Sequence, residues 1–166
     1  LKGLTEAQEA NPRDLSSLRT GLFAAGMHSA TPVVRRGLEV LAPLRSVSGY
    51  GMTEVWVGAG IGSLDDDLRL RCESSGTAGL GYKLRIIDLE TGRVQPVGEP
   101  GELQVKGYSV MLEYYKKPDE TAATFTDDGW FKTGDSAVWL DNGYIRFLGR
   151  YKDMLKVGGE NVDPME

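Results

Sequence analysis

The spacing of apolar residues along the chain changes near residue 75. Before it, Leu18 to Ala25 reads as a short buried strand ending at Gly26. Val33, Val34, Leu38 and Leu41 then recur at helical spacing after Thr31-Pro32, which predicts a helix with Thr31 as its cap. Arg45 to Ser48 predicts a second short strand running into Gly49-Tyr50-Gly51. Residues 1–20 are polar and mixed, with a break at Asn11-Pro12. This strand–helix–strand order has α/β character. After residue 75 the pattern becomes short strands at Leu84–Leu89, Leu103–Lys106, Ser136–Leu140 and Tyr144–Leu148. Glu90-Thr91-Gly92 and Asp141-Asn142-Gly143 supply hairpin turns, and only Pro118–Phe125 reads as helix. The expected fold class is α+β: the end of an α/β subdomain, then a small antiparallel β-barrel-like subdomain.

Composition narrows the chemistry. The net charge of −5 argues against a protein built on nucleic-acid phosphates. One cysteine, Cys72, and one histidine, His28, exclude an intrachain disulfide and any Cys- or His-rich metal cluster. A reducing, cytoplasmic setting is the expectation. The longest apolar stretch, Val55–Leu64, falls far short of the roughly 20 residues of a membrane-spanning helix. The chain opens without Met and closes on Asp163-Pro164-Met165-Glu166, a helix-start signal with no helix after it, so it reads as a piece of a longer polypeptide.

Two glycine runs can be tested against phosphate-binding fingerprints. Gly58-Ala59-Gly60-Ile61-Gly62-Ser63 has Ser where the dinucleotide motif needs its last glycine, and no acidic residue follows about 20 positions on. It reads as a flexible loop beside a strand end. Ser48-Gly49-Tyr50-Gly51-Met52-Thr53-Glu54 differs. Its glycines let the backbone approach a planar ligand on which Tyr50 can stack, Thr53 can donate to a phosphate oxygen, and Glu54 can hold a hard cation. The same string also reads as an ordinary turn with a capping Thr. Asp65-Asp66-Asp67 reads as a solvated loop rather than a metal site, and nothing near Cys72 activates a thiol.

This string resembles the tyrosine–glycine–x–threonine–glutamate motif of the adenylate-forming enzymes, the superfamily of acyl-CoA synthetases, luciferases and adenylation domains. Three further stretches match in the same order: Gly98–Gly107, Gly129-Trp130-Phe131-Lys132-Thr133-Gly134-Asp135, and Gly149–Val162. The resemblance runs from about Leu15 to Glu166. It implies residues 1–74 as the C-terminal part of the α/β AMP-binding subdomain, 75–148 as the small β subdomain, and 149–166 as the hinge and the start of a mobile C-terminal domain.

By this resemblance Gly26, Ser48, Gly49, Tyr50, Gly51 and Met52 surround the adenine of ATP or AMP. Thr53 binds the α-phosphate and Glu54 the Mg²⁺. Asp135 and Arg150 hold the ribose, with Phe147 packed on the sugar. Lys152 is the hinge, and Lys156 with Gly158 and Gly159 belongs to the face presented to CoA. Structural readings stand beside these: a core aromatic for Tyr50, a turn acid for Asp135, an inward strand residue for Phe147, and exposed strand charges for Arg150 and Lys156.

The implied reaction joins a carboxylic acid, fatty or aryl, to CoA through an acyl-AMP intermediate, with peripheral membrane association expected if the acyl chain is long. Met52 and the Gly158–Asn161 run favour the acyl-CoA synthetase branch. An adenylation domain loading a carrier protein, or a β-rich binding module without activity, are the alternatives. Two positions depart from the family pattern: His28-Ser29 in the segment that walls the acyl pocket, and Glu113 where relatives carry Gly. The family's phosphate loop and its C-terminal catalytic lysine have no counterpart in the sequence, so the chain alone is expected to be inert.

Overall fold

A computed structural model describes residues 1–24, 30–153, 155–157 and 160–162, the last two groups as backbone only. In chain order the elements are α1 (Lys2–Ala10), β1 (Thr20–Ala24), α2 (Thr31–Val40), β2 (Arg45–Met52) and β3 (Trp56–Ile61). They continue with α3 (Leu68–Glu73), β4 (Thr77–Ala78), β5 (Tyr82–Ile87), β6 (Gly101–Gly107) and α4 (Pro118–Thr124). The last are β7 (Phe131–Trp139), β8 (Ile145–Arg150), β9 (Leu155–Val157) and β10 (Glu160–Val162).

The first sheet has the order β1-β2-β3-β4, with β1 parallel to β2 and the other pairs antiparallel. The parallel pair needs a crossover, and α2 provides it. Val34 and Leu38 of that helix are buried with Cys72 of α3, whereas Val33 faces out. Thr31 does not cap α2. Ala30 stands at the N-cap, and the Thr31 hydroxyl donates instead to the Cys72 carbonyl. Helix α1 occupies the segment that looked irregular in sequence, and it stops at Asn11, where the Asn-Pro break was expected. It is held to α2 by the Glu9–Arg36 ion pair.

The glycine run after Val57 is strand rather than loop. Gly60 pairs with Tyr50 and Ala78, and a Cβ on Gly60 would stand 2.7 Å from the Ser75 carbonyl. Only glycine permits so close an approach of backbone to backbone. Asp65-Asp66-Asp67 is a loop, with Asp65 and Asp67 exposed as expected, but Asp66 is not solvated. Asp66 is buried, accepting from the Ser63 amide and the Tyr144 hydroxyl, and Asp67 caps α3 at the Leu70 amide.

The second sheet has the order β5-β6-β7-β8, antiparallel throughout. It does not close: β5 and β8 are its two edges, so the expected barrel is an open sheet. The predicted turns fall where expected, with Gly92 and Gly143 at φ +69° and +78°. Its inward face supplies the densest core of the molecule. Ile86, Leu103, Val105, Phe131, Ala137 and Ile145 are essentially inaccessible and pack against Tyr50, Val55 and Ala59 of the first sheet.

The seam between the sheets is hydrogen-bonded. Ile145 bonds the backbone of both Ser75 and Gly76: its carbonyl accepts from the Ser75 amide at 2.7 Å, and its amide donates to the Gly76 carbonyl at 2.8 Å. The Phe147 amide donates to Ser75 Oγ at 3.1 Å. No helix among the described residues is long and apolar enough to cross a membrane.

Candidate nucleotide-facing site

Both strands that carry the sequence-predicted residues lose regular register where those residues sit. Between Tyr50 and Gly51 the pairing jumps from Gly60 to Val57, leaving Gly58 and Ala59 unmatched. Along β6 and β7, Glu102 pairs with Ser136 and Gln104 with Lys132, so Thr133, Gly134 and Asp135 lie opposite Leu103 alone. Bulges of this kind bend a strand and re-aim its side chains. Here Thr133 Oγ1 donates to the Leu103 carbonyl at 2.6 Å and accepts from the Asp135 amide at 3.1 Å. Gly134 takes φ +70°, and its carbonyl accepts from the Tyr151 amide at 3.0 Å.

Asp135 is consequently turned toward the first sheet. It is 3% exposed, and its Oδ2 accepts from the Tyr50 hydroxyl at 2.6 Å. Its Oδ1 is buried and accepts no hydrogen bond, with Arg150 Nε of the neighbouring strand 3.4 Å away. Burial pushes the Asp135 carboxyl above its ordinary range, opposed by the Tyr50 hydrogen bond and the charge of Arg150. Burial, then the Asp135 charge, pushes the Tyr50 hydroxyl up in turn, so it stays a donor. The Tyr50 ring belongs to the core and meets Phe147 at 6.1 Å between centroids.

Ser48 is also buried, its hydroxyl 3.2 Å from that of Ser74. Gly49 lies against Leu22, and a Cβ on Gly51 would stand 2.3 Å from the Trp56 carbonyl. The Gly-Tyr-Gly segment is thus the end of β2 rather than a turn. The turn begins one step later, at Thr53 and Glu54, and closes through the Val55 amide to the Met52 carbonyl. Thr53 is exposed, and Glu54 is half-buried beneath the segment before α4.

A cavity of about 600 Å³ lies beside these elements, walled in part by Glu54, Tyr114, Thr133, Gly134, Arg150 and Lys152. Its lining includes both sequence neighbours of Thr133, Lys132 and Gly134, and the Asp135 partner Arg150, but neither Asp135 nor Tyr50. Lys152 is exposed in the turn after β8, where the Asp153 amide bonds the Arg150 carbonyl. Gly26, His28, Gly158 and Gly159 lie outside the described residues, as does the side chain of Lys156. Tyr114 has no counterpart in the sequence reading. Its hydroxyl donates to Glu54 Oε1 at 2.9 Å, and the only local signal was its place in the aromatic pair Tyr114-Tyr115.

Among the described residues no group of three or more His, Cys, Asp or Glu side chains is arranged to hold a metal. A lone carboxylate does not make a resident metal centre. It does suit magnesium, which usually takes one or two carboxylates together with substrate phosphates and waters.

The two small sheets, one mixed and one open and antiparallel, match the architecture of adenylate-forming enzymes. The family model for AMP-binding enzymes matches residues 1–115, and the chain belongs to that family. It is 37% identical over 153 residues to a mitochondrial medium-chain acyl-CoA ligase of Danio rerio, covering 92% of this chain and 25% of the relative. It is 38% identical over 157 residues to the acyl-CoA ligase SidI of Aspergillus fumigatus, covering 92% and 26%.

Among solved structures, ATP-bound MatB from Rhodopseudomonas palustris superposes with a TM-score of 0.74 at 33% identity, over 89% of this chain and 28% of that one. O-succinylbenzoate coenzyme A synthetase from Bacillus subtilis, in complex with ATP and magnesium ion, gives 0.80 at 28% identity, over 97% and 32%. The chain spans about a quarter of the length of the curated relatives it matches.

Proposed function

We propose that this chain forms the nucleotide-facing part of an ATP-dependent, AMP-forming acyl-CoA ligase. In the first half-reaction a carboxylate of the fatty or aryl class attacks the α-phosphorus of ATP, and pyrophosphate leaves. In the second the CoA thiolate attacks the acyl carbon, and AMP leaves. A carrier-protein acceptor is not favoured, because the relatives described above are acyl-CoA ligases. A reducing compartment such as the cytoplasm is part of the same proposal.

The observation that carries the reading is the unmatched oxygen of Asp135. A buried carboxylate oxygen with no donor is costly unless a ligand supplies one. Ribose hydroxyls are such donors, and Arg150 beside them adds a cationic contact. Tyr50 holds the other Asp135 oxygen, so the acid presents Oδ1 in a fixed direction. Thr53, exposed next to Glu54, donates its hydroxyl to the α-phosphate. Glu54 would hold magnesium, whose charge offsets the repulsion between the entering carboxylate and the phosphates when it is bound. Lys152 serves as the pivot for the residues that follow it, in an exposed turn with few restraints.

The test is Asp135→Ala in the full-length protein, with ATP binding measured by calorimetry. Loss of hydrogen bonds to a charged acceptor, about 1.5–3 kcal/mol, weakens binding by about 10- to 150-fold. Unchanged affinity in a folded variant rejects the assignment.

A further inference from the structure

The turn that carries Glu54 is held from above by the segment leading into α4. Ser109 Oγ donates to the Val55 carbonyl at 2.9 Å, and the Met111 amide donates to the Glu54 carbonyl at 2.7 Å. The Tyr82 hydroxyl also donates to the Val55 carbonyl, at 3.1 Å, so the turn's backbone is fixed by contacts that leave the Glu54 side chain untouched. Among the described residues, the Tyr114 hydroxyl alone hydrogen-bonds the carboxylate, at Oε1. Tyr114 is itself anchored: its amide donates to Thr121 Oγ1 at 2.9 Å, and the Thr121 hydroxyl donates to the Lys117 carbonyl at 2.8 Å at the start of α4. Glu54 Oε2 has no hydrogen bond to any described residue. Glu54 and Tyr114 both wall the 600 Å³ cavity.

A glutamate has three side-chain torsions, and ordering it when a ligand arrives opposes binding. A hydroxyl that takes one carboxylate oxygen beforehand removes much of that disorder and leaves the other oxygen for the ligand. We propose that Tyr114 is a positioning residue for magnesium binding: it holds Oε1 of Glu54 so that Oε2 is the ligand atom. The inference rests on the reading of Glu54 as the metal carboxylate. It adds that α4 and the segment before it, 60 residues away in sequence, set the metal affinity of the β2–β3 turn.

Mn²⁺ replaces Mg²⁺ as the probe. It is titrated into the full-length protein holding a non-hydrolysable ATP analogue, with free Mn²⁺ read by electron paramagnetic resonance. Tyr114→Phe removes only the hydroxyl, and partners of metal ligands typically contribute 10- to 100-fold in affinity. The expected result is a Mn²⁺ dissociation constant raised about 10-fold or more, with the nucleotide affinity measured without metal unchanged. In a Glu54→Gln background the same change should add nothing. Ser109→Ala, which loosens the same segment without touching the carboxylate, should leave Mn²⁺ affinity as in the parent.

Wild-type Mn²⁺ affinity in Tyr114→Phe, alongside weakened binding in Glu54→Gln, overturns the role of Tyr114 and leaves the Glu54 reading standing. Undiminished binding in Glu54→Gln overturns both. An equal loss from Tyr114→Phe in the Glu54→Gln background, or from Ser109→Ala, reduces Tyr114 to a packing residue and overturns the inference.

Discussion

The two sheets divide stability and recognition unequally. The second, β5 to β8, buries Ile86, Leu103, Val105, Phe131 and Ile145 almost completely. Beneath the first sheet's helices the buried cluster among the described residues is Val34, Leu38 and Cys72, and Leu22, Trp56 and Val57 on its strands remain substantially exposed. Yet the candidate site draws on both, taking Tyr50, Thr53 and Glu54 from one and Asp135 and Arg150 from the other. The well-packed sheet supplies a rigid acid. The sparsely packed sheet supplies a turn that needs outside support from Tyr114. A site assembled across such a seam is only as well ordered as the contacts that bridge it.

The comparison is broken most directly by truncating one core residue on each side. Phe131→Ala should cost about 3–5 kcal/mol, because a fully enclosed ring leaves a cavity that cannot collapse. Leu38→Ala should sit near the lower limit for its type, about 2 kcal/mol, since the cluster around it is small and close to solvent. Equilibrium unfolding in urea measures both, and equal losses would end the claim of unequal cores.

The seam itself is probed by Tyr144→Phe. The Tyr144 hydroxyl donates to the buried Asp66 carboxylate, and its removal should cost about 1.5 kcal/mol, the low end for a charged acceptor because the ring is half-buried. The hydrogen bond to Asp66 pushes the Tyr144 pKa up to about 12, above the ordinary tyrosine value of about 10. A folded-state pKa raised in this way stabilises the protein fully below about pH 10 and loses that contribution as pH rises through about 12. The stability gap between wild type and Tyr144→Phe should therefore close over that window. A gap that persists at pH 12 contradicts the assignment.

The smallest effect concerns Asp135 in the absence of nucleotide. Burial raises its pKa, so the folded protein binds a proton more readily than the unfolded chain above about pH 4. Stability should fall as pH rises from about 4 through the raised pKa, and Asp135→Asn should lack that decline. Unfolding free energies of the two proteins from pH 4 to 7 give the comparison. A parallel pair of curves would mean that Tyr50 and Arg150 compensate the burial in full.

Local sequence determined much of the second sheet. Its strands are rich in apolar residues and are separated by turns whose glycines, Gly92 and Gly143, adopt positive φ. Pro118, followed by acidic Asp119 and Glu120, opened α4 where expected. The motif Thr53-Glu54 was legible because its two residues are adjacent, and Asp135 because it closes a recognisable string.

Tertiary structure decided the rest. The Gly58–Ile61 run is a strand because β2 and β4 flank it, which no propensity of glycine suggests. Asp66 is buried because Tyr144, 78 residues later, reaches it. The sheet stays open rather than closing as a barrel because β5 and β8 each have a single partner. Asp135 faces Tyr50 because three residues of β7 oppose one of β6, a mismatch visible only in register. Tyr114 found Glu54 in the same way. Periodicity and turn chemistry act over a few residues, whereas the side-chain contacts of Tyr114, Tyr144 and Tyr50 join positions 60 to 85 apart and exist only once the chain has packed.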